Sequence, residues 1–279
     1  MRVNVGDIEL HVHAKGAGRP IVALHGGPGL DGSVWFPALD PLADEGWRVL
    51  AVDQRANGLS DFGDPARWTV SQMADDVESL ITSLELESPV VLGWSFGSFV
   101  AQSHMVRHGS ASAYVLIGTV ADPAAVHAVH DRLAVFEPER LRAQVTASWE
   151  REATVQTAEE AKQLLHDQYP FHVADPEGPL VQWLIDYDRI VYRPEVLRHF
   201  AAGGDYGLVD QRDALRSFAR PVLVLSGAED RTTPAASAHD LADTIPGAQE
   251  IVIPNAAHMV PDEQPEAFLA ALRAFLARV

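Results

Sequence analysis

Three residue types at three places in this chain could together perform acyl transfer. Ser95 lies in Gly93-Trp94-Ser95-Phe96-Gly97, a G-x-S-x-G pentapeptide. A serine hydroxyl attacks a carbonyl only when a base takes its proton, and the base must be held in one tautomer by an acid. Asp230 follows the apolar run Val222-Leu223-Val224-Leu225, and His258 follows Ile251-Val252-Ile253. Serine, then acid, then histidine is the chain order that accompanies this pentapeptide. Asp230 is preferred to its neighbour Glu229 because it lies deeper in the loop.

The reaction also needs donors for a developing oxyanion. His25-Gly26-Gly27-Pro28-Gly29 follows the apolar run Ile21–Leu24. A glycine-rich turn lets backbone N–H groups approach a ligand oxygen with no side chain in the way. The G-x-x-x-x-G-K-S/T pattern of a phosphate loop does not occur here, which disfavours that reading. The backbone N–H groups of Gly27 and Phe96 are therefore the candidate oxyanion hole. Losing one such donor typically costs about 2.7–4 kcal/mol of transition-state stabilisation.

These groups need a scaffold that brings strand ends together. Ile8, Leu10 and Val12 alternate with polar residues, as in a half-exposed strand. Ile21–Leu24, Val49–Val52, Val90–Leu92 and Tyr114–Ile117 are short continuous apolar runs, suited to strands buried on both faces of a mostly parallel sheet. Met73, Val77, Leu80, Ile81 and Leu84 recur at helical spacing, and Phe96–His108 reads as a helix stopped by Gly109. Helices are also expected around Ala236–Thr244 and at Phe268–Leu276. Strands alternating with helices indicate an α/β class.

From Val120 to Arg220 the strand signal vanishes, far beyond an ordinary connection. Leu133, Val135 and Phe136, then Ala161, Leu164 and Leu165, then Trp183, Leu184 and Ile185, suggest helices. The expected organisation is a core made of residues 1–120 and 215–279, with residues 121–214 as an inserted helical lid.

Composition limits the partners. Of 279 residues, 47% are hydrophobic, and 39 Asp+Glu against 21 Lys+Arg leave a net charge of −18. Nucleic acids and anionic membranes need basic surfaces, so neither is an expected partner. Zero cysteines exclude disulfides, thiolate metal sites and a cysteine nucleophile. The N-terminus turns polar too early for a signal peptide, so a cytoplasmic protein is expected. His11 and His13 share a strand face, His104 and His108 are four apart, and His127 and His130 three apart. None has an evident third ligand in sequence, so no metal and no cofactor is expected. His104 and His108 read as helix-surface residues.

Taken together, His25–Gly29, Asp53-Gln54-Arg55 with Gly58-Leu59-Ser60, Gly93–Gly97, Asp230 and His258 resemble the α/β-hydrolase superfamily. Within it, the chain looks most like the proline iminopeptidase family of serine peptidases. The family commonly reads D-x-R-G-x-G-x-S where this chain has Ala56 in place of the first glycine. Ser148-Trp149-Glu150 looks like the family's Trp-Glu pair, which implies Glu150, beside Trp149, as an anchor for a substrate's free amine. Asp186, Asp188 and Glu195 are candidates for the second lid acid. The resemblance implies an aminopeptidase releasing N-terminal proline, or a similar residue, from small peptides or amides. The same machinery also serves carboxylesterases, lactonases and C–C bond hydrolases, and the fold alone does not choose among them. A non-catalytic ligand receptor on this scaffold is the rival from another class.

Overall fold

The computed structural model describes residues 1–203 and 210–279, except for the side chains of Pro123 and His127. Part of the expected lid, 204–209, and the side chain of His127 therefore lie outside the described residues.

Every apolar run named above forms a strand. The eight are β1 (Arg2–Asn4), β2 (Glu9–Lys15), β3 (Arg19–Leu24), β4 (Trp47–Val52), β5 (Val90–Trp94), β6 (Ala113–Ile117), β7 (Val222–Gly227) and β8 (Gln249–Ile253). They make one sheet in the order β1-β2-β4-β3-β5-β6-β7-β8. Strands β1 and β2 pair antiparallel, as do β2 and β4; the remaining pairs are parallel. Strand β1 was not expected, because three residues are too few to show a period.

The continuous apolar runs are explained by cover on both faces. Val22, Leu24, Leu50, Val91 and Leu116 point into one core with Met73, Val77 and Leu80 of the helix Val70–Ser83. Their strand neighbours Ile21, Ala23, Val49, Leu92 and Val115 point into the other, with Phe268, Leu272 and Phe275 of the helix Pro265–Leu276. Burying a Val, Leu or Ile side chain completely stabilises by roughly 1.5–3 kcal/mol, so both helices are fixed by this stripe-on-sheet packing. Thr69 caps the first of them by accepting from Gln72 N.

Between β6 and β7 the described residues form helices and no strand. Val129–Ala134, Glu139–Arg151, Ala158–His172, Pro179–Asp186 and Pro194–Ala201 are the longer ones. Val129, Leu133, Phe136, Val145 and Phe171 give this excursion an apolar cluster of its own. Val135 and Phe136 fall just past the end of Val129–Ala134, and Val135 is 72% exposed, so the helical stripe expected there ends at Leu133. Backbone ties lock the excursion to the sheet side: Arg193 N donates to Gly29 O at 2.8 Å, and Val191 N to Asp31 Oδ2 at 2.7 Å.

Two further expectations are corrected. His104 is wholly buried, because its helix, Phe96–Arg107, is wedged between the sheet and Val70–Ser83. Its ring bonds Tyr114 OH at 2.9 Å and Glu78 at 3.1 Å, and burial lowers its pKa to about 4. His11 and His13 do have a third group beside them: Asp53, at the end of β4, lies 3.0 Å from His11 Nδ1 and 2.9 Å from His13 Nε2.

The D-x-R segment orders loops. Burial would raise the Asp53 carboxyl, but bonds from His13, Leu59 N and Gly32 N hold it at about 2. Ala56 adopts φ 65°, the left-handed backbone that glycine takes without cost, at the position where the family pattern has glycine. Arg55 is completely buried and spans two carboxylates, Asp76 (2.7 Å from both Nε and Nη2) and Asp7 (2.8 and 3.0 Å). Breaking a buried ion pair on one side leaves charge uncompensated, at about 3–5 kcal/mol. Arg55→Met is expected to lose that much in urea unfolding. A loss below about 1 kcal/mol would show that the network carries no stability.

Candidate active site

The chain turns sharply where β5 meets the helix Phe96–Arg107. Ser95 has φ 52° and ψ −119°, a strained backbone for a non-glycine residue. The flanking glycines make that turn sterically possible. A Cβ at Gly93 would sit 2.3 Å from Gly97 O, and one at Gly97 would sit 2.3 Å from Leu24 O. Ser95 N donates to Ile117 O at 2.8 Å and Ser98 Oγ donates to Ser95 O at 2.6 Å, pinning the turn to β6 and to its own helix. The Ser95 amide thus continues the β5–β6 ladder just before the chain turns into the helix.

His258 and Asp230 come from the ends of β8 and β7. His258 Nδ1 stands 2.8 Å from Asp230 Oδ2, and both residues are buried. Asp230 accepts four bonds: from His258, from Thr233 Oγ1, and from the backbone N–H groups of Thr232 and Thr233, each at 2.8 Å. Burial alone would raise this carboxyl, but the facing His258 and these donors keep it below its usual range. A fixed carboxylate acceptor at Nδ1 leaves Nε2 as the ring atom free to exchange a proton. Glu229, the alternative acid, is exposed.

Neighbours fix the His258 ring. Trp94 Nε1 donates to His258 O at 3.0 Å, and His258 N donates to His172 O at 2.9 Å. The rings of Trp94 and His172 pack against it with centroids at 5.9 and 5.3 Å. A Cβ at Gly118 would lie 3.0 Å from His258 Cε1, so the absence of a side chain there makes room for the imidazole. Burial, with the imidazole of His258 close by, lowers His172 to about 3 and keeps it neutral.

Ser95, Phe96, Gly27 and His258 all line one cavity of about 810 Å³, with Asp230 behind His258. Leu30, Phe99, Leu164, Leu184 and Phe200 are among its apolar walls. The loop carrying Gly27 is held by a buried His25. Gln54 N donates to His25 Nε2 at 3.3 Å, and His25 Nδ1 faces Gly26 O at 2.9 Å. A donor at Nε2 and an acceptor at Nδ1 assign the neutral tautomer with its proton on Nδ1.

Trp149 and Glu150 line the same cavity, Glu150 as an exposed residue. Asp188, one candidate second acid, also faces it, but is tied to Tyr192 OH at 2.8 Å, His166 at 2.9 Å and Ile190 N at 3.0 Å. Asp186 is exposed and bonds Gln182, and neither it nor Glu195 lines the cavity. Two lining acids went unread in the sequence. Burial pushes Glu152 up to about 7 against a bond from Gln168, and pushes Asp262 up to about 7. Nothing in the local pattern separates Glu152 from Glu150; the short 3₁₀ turn Glu152–Thr154 turns one inward where the helix leaves the other outside. Among the described residues, no helix is long and apolar enough to cross a membrane.

Comparison with known proteins agrees with this architecture. An esterase structure from Thermogutta terrifontis superposes with a TM-score of 0.75 at 26% identity, over 100% of this chain and 98% of that one. The 2-hydroxy-6-oxo-6-(2'-aminophenyl)hexa-2,4-dienoic acid hydrolase of Metapseudomonas resinovorans is 22% identical over 99% of this chain and 90% of its own length. YisY, an AB hydrolase superfamily protein of Bacillus subtilis, is 36% identical over 110 residues, only 39% of this chain and 40% of that protein. The family described as alpha/beta hydrolase fold matches residues 19–265. The match over residues 19–265, on a single eight-stranded sheet with Ser95, Asp230 and His258 at its strand ends, places this chain in the alpha/beta hydrolase fold family.

Proposed function

We propose that this protein is a serine hydrolase of small carbonyl substrates, with esters of modest, largely apolar acyl groups as its preferred class. Ser95 is the nucleophile, His258 the proton shuttle and Asp230 the acid that orients it. The backbone N–H groups of Gly27 and Phe96 receive the oxyanion. Ser95 Oγ attacks the carbonyl while His258 Nε2 takes its proton, then returns it to the leaving alcohol. An acyl-enzyme remains, and a water activated by His258 releases the acid. In this reading, residues 121–214 act as a lid over a core of 1–120 and 215–279, and the cavity volume bounds the substrate.

The observation that carries the reading is the 2.8 Å pairing of His258 Nδ1 with a buried Asp230, on a ring that shares its cavity with Ser95 and Gly27. The apolar walls and the full-length likeness to an esterase favour esters. Lactone and C–C bond cleavage use the same groups and differ in the leaving atom.

The aminopeptidase reading is the second one, favoured by Glu150 and Trp149 lining the cavity. None of the three relatives above is named as a peptidase. Asp188 is already committed to three donors, and burial pushes Glu152 up to about 7. A substrate panel separates the readings: p-nitrophenyl acetate and butyrate, prolyl arylamide, and its N-acetyl form. Esters are expected to turn over fastest, with blocked and free arylamides equally slow. Preferential cleavage of the free prolyl arylamide, with a KM raised selectively by Glu150→Gln, overturns the ester assignment.

A further inference from the structure

We propose that His11, His13 and Asp53 form a binding site for a divalent transition metal of the zinc class, separate from the hydrolytic cavity. None of the three lines that cavity.

The site follows from strand register. In β2, residues two apart share a face, so His11 and His13 project together. Strand β4 pairs antiparallel with β2, with Val12 opposite Val52 and His13 opposite Ala51. Asp53 N donates to His11 O at 3.0 Å, which carries the ladder one residue further and sets Asp53 opposite His11. Directly opposed residues share a sheet face, so all three side chains meet. One potential ligand atom from each lies within 4.8 Å of the others, and the two rings pack edge-on with centroids at 4.5 Å.

The donor set selects the ion. Two imidazole nitrogens and one carboxylate oxygen suit zinc with a fourth position for water, whereas calcium and magnesium need a shell of oxygens. Zinc sits about 2.0–2.2 Å from such ligands, so it would replace both His–Asp hydrogen bonds after small ring rotations. The imidazoles are 20% and 27% exposed and the carboxylate is fully covered, which leaves one open side for ion and water.

The surroundings hold the carboxylate as outer-shell groups hold metal ligands. Gly32 N and Leu59 N each donate to an Asp53 oxygen at 2.8 Å. A Cβ at Gly58 would lie 2.4 Å from Asp53 Oδ2 and one at Gly32 3.2 Å from Oδ1. Backbone therefore closes the far side, and the carboxylate opens toward the two histidines. The net charge of −18 raises the local concentration of cations.

The test uses the full chain without a histidine tag. After equilibration with zinc chloride and dialysis, wild type is expected to retain one zinc per chain by elemental analysis. Cobalt(II) in its place is expected to give the intense visible bands of a four-coordinate ion. His11→Gln and His13→Asn are each expected to weaken zinc binding at least about tenfold and to abolish the cobalt bands. Both positions are partly exposed, and Asp53 is left intact because it also holds Gly32 and Leu59. Hydrolysis of p-nitrophenyl acetate by either variant without metal is expected to match that of wild type. No zinc and no cobalt bands in wild type overturn the proposal. So does binding of equal strength in both variants, which would put the ion on other groups, such as His258.

Discussion

Ser95→Ala is expected to lower kcat toward p-nitrophenyl esters by about a millionfold while the chain stays folded. Knocking out the nucleophile of a serine–histidine–acid set elsewhere costs on this order, and the residual rate comes from oxyanion donors and binding. The change is unusually clean at this position. Alanine keeps the Cβ that faces Gly26, where an added Cβ would come within 3.2 Å, and the turn is held by backbone bonds to Ile117 and from Ser98. Only the hydroxyl leaves. The measurement is initial rate with circular dichroism as the folding control, together with labelling by a fluorophosphonate. Wild type should label and the variant should not. A folded wild type that fails to label would leave the receptor alternative standing. A variant retaining more than about 1% of the rate would remove Ser95 from the chemistry.

Asp230→Asn is expected to cost about 10⁴-fold in kcat with little change in fold, on the scale known for this change in a serine protease. The reason lies in the four donors that converge on the carboxylate. Oδ1 accepts from Thr232 N and Thr233 N, and those two N–H groups require an oxygen, so the asparagine carbonyl must take that place. The amide nitrogen then replaces Oδ2 and faces His258 Nδ1 at the 2.8 Å now occupied by a charge-assisted bond. An amide N–H donating to Nδ1 forces the ring proton onto Nε2, where a base is needed. Thr233 Oγ1, 2.8 Å from Oδ2, can rotate its hydrogen and accept, so the site stays satisfied. The pH–rate profile and kcat of the variant test this account. Activity within about tenfold of wild type would mean that the acid does not set the tautomer.

The proposed hydrolytic set could be read from the sequence because each member is announced locally. A continuous apolar run ending in glycine-flanked serine, and two more runs ending in loops with an acid and a histidine, need only a parallel sheet to converge. Strand ends in such a sheet lie on one side by construction. Ala56 was legible in the same way, as a departure from a glycine pattern that the structure shows at positive φ.

Other features had no local signal. The burial of His104 depends on which helix covers it, and the sequence shows only a histidine four residues before another. Glu152 and Glu150 differ by a turn of backbone at a helix end, and this decides which carboxyl is desolvated. Asp53 meets His11 and His13 across a sequence gap of about forty residues, through an antiparallel register that no periodicity encodes.

By itself the sequence determined the α/β architecture, every strand but β1 and the residues at their ends, because hydrophobic period and turn chemistry act over a few residues. Tertiary structure alone decided which polar groups lose water and which meet across strands. Burial and electrostatic pairing act through space, where sequence distance has no bearing.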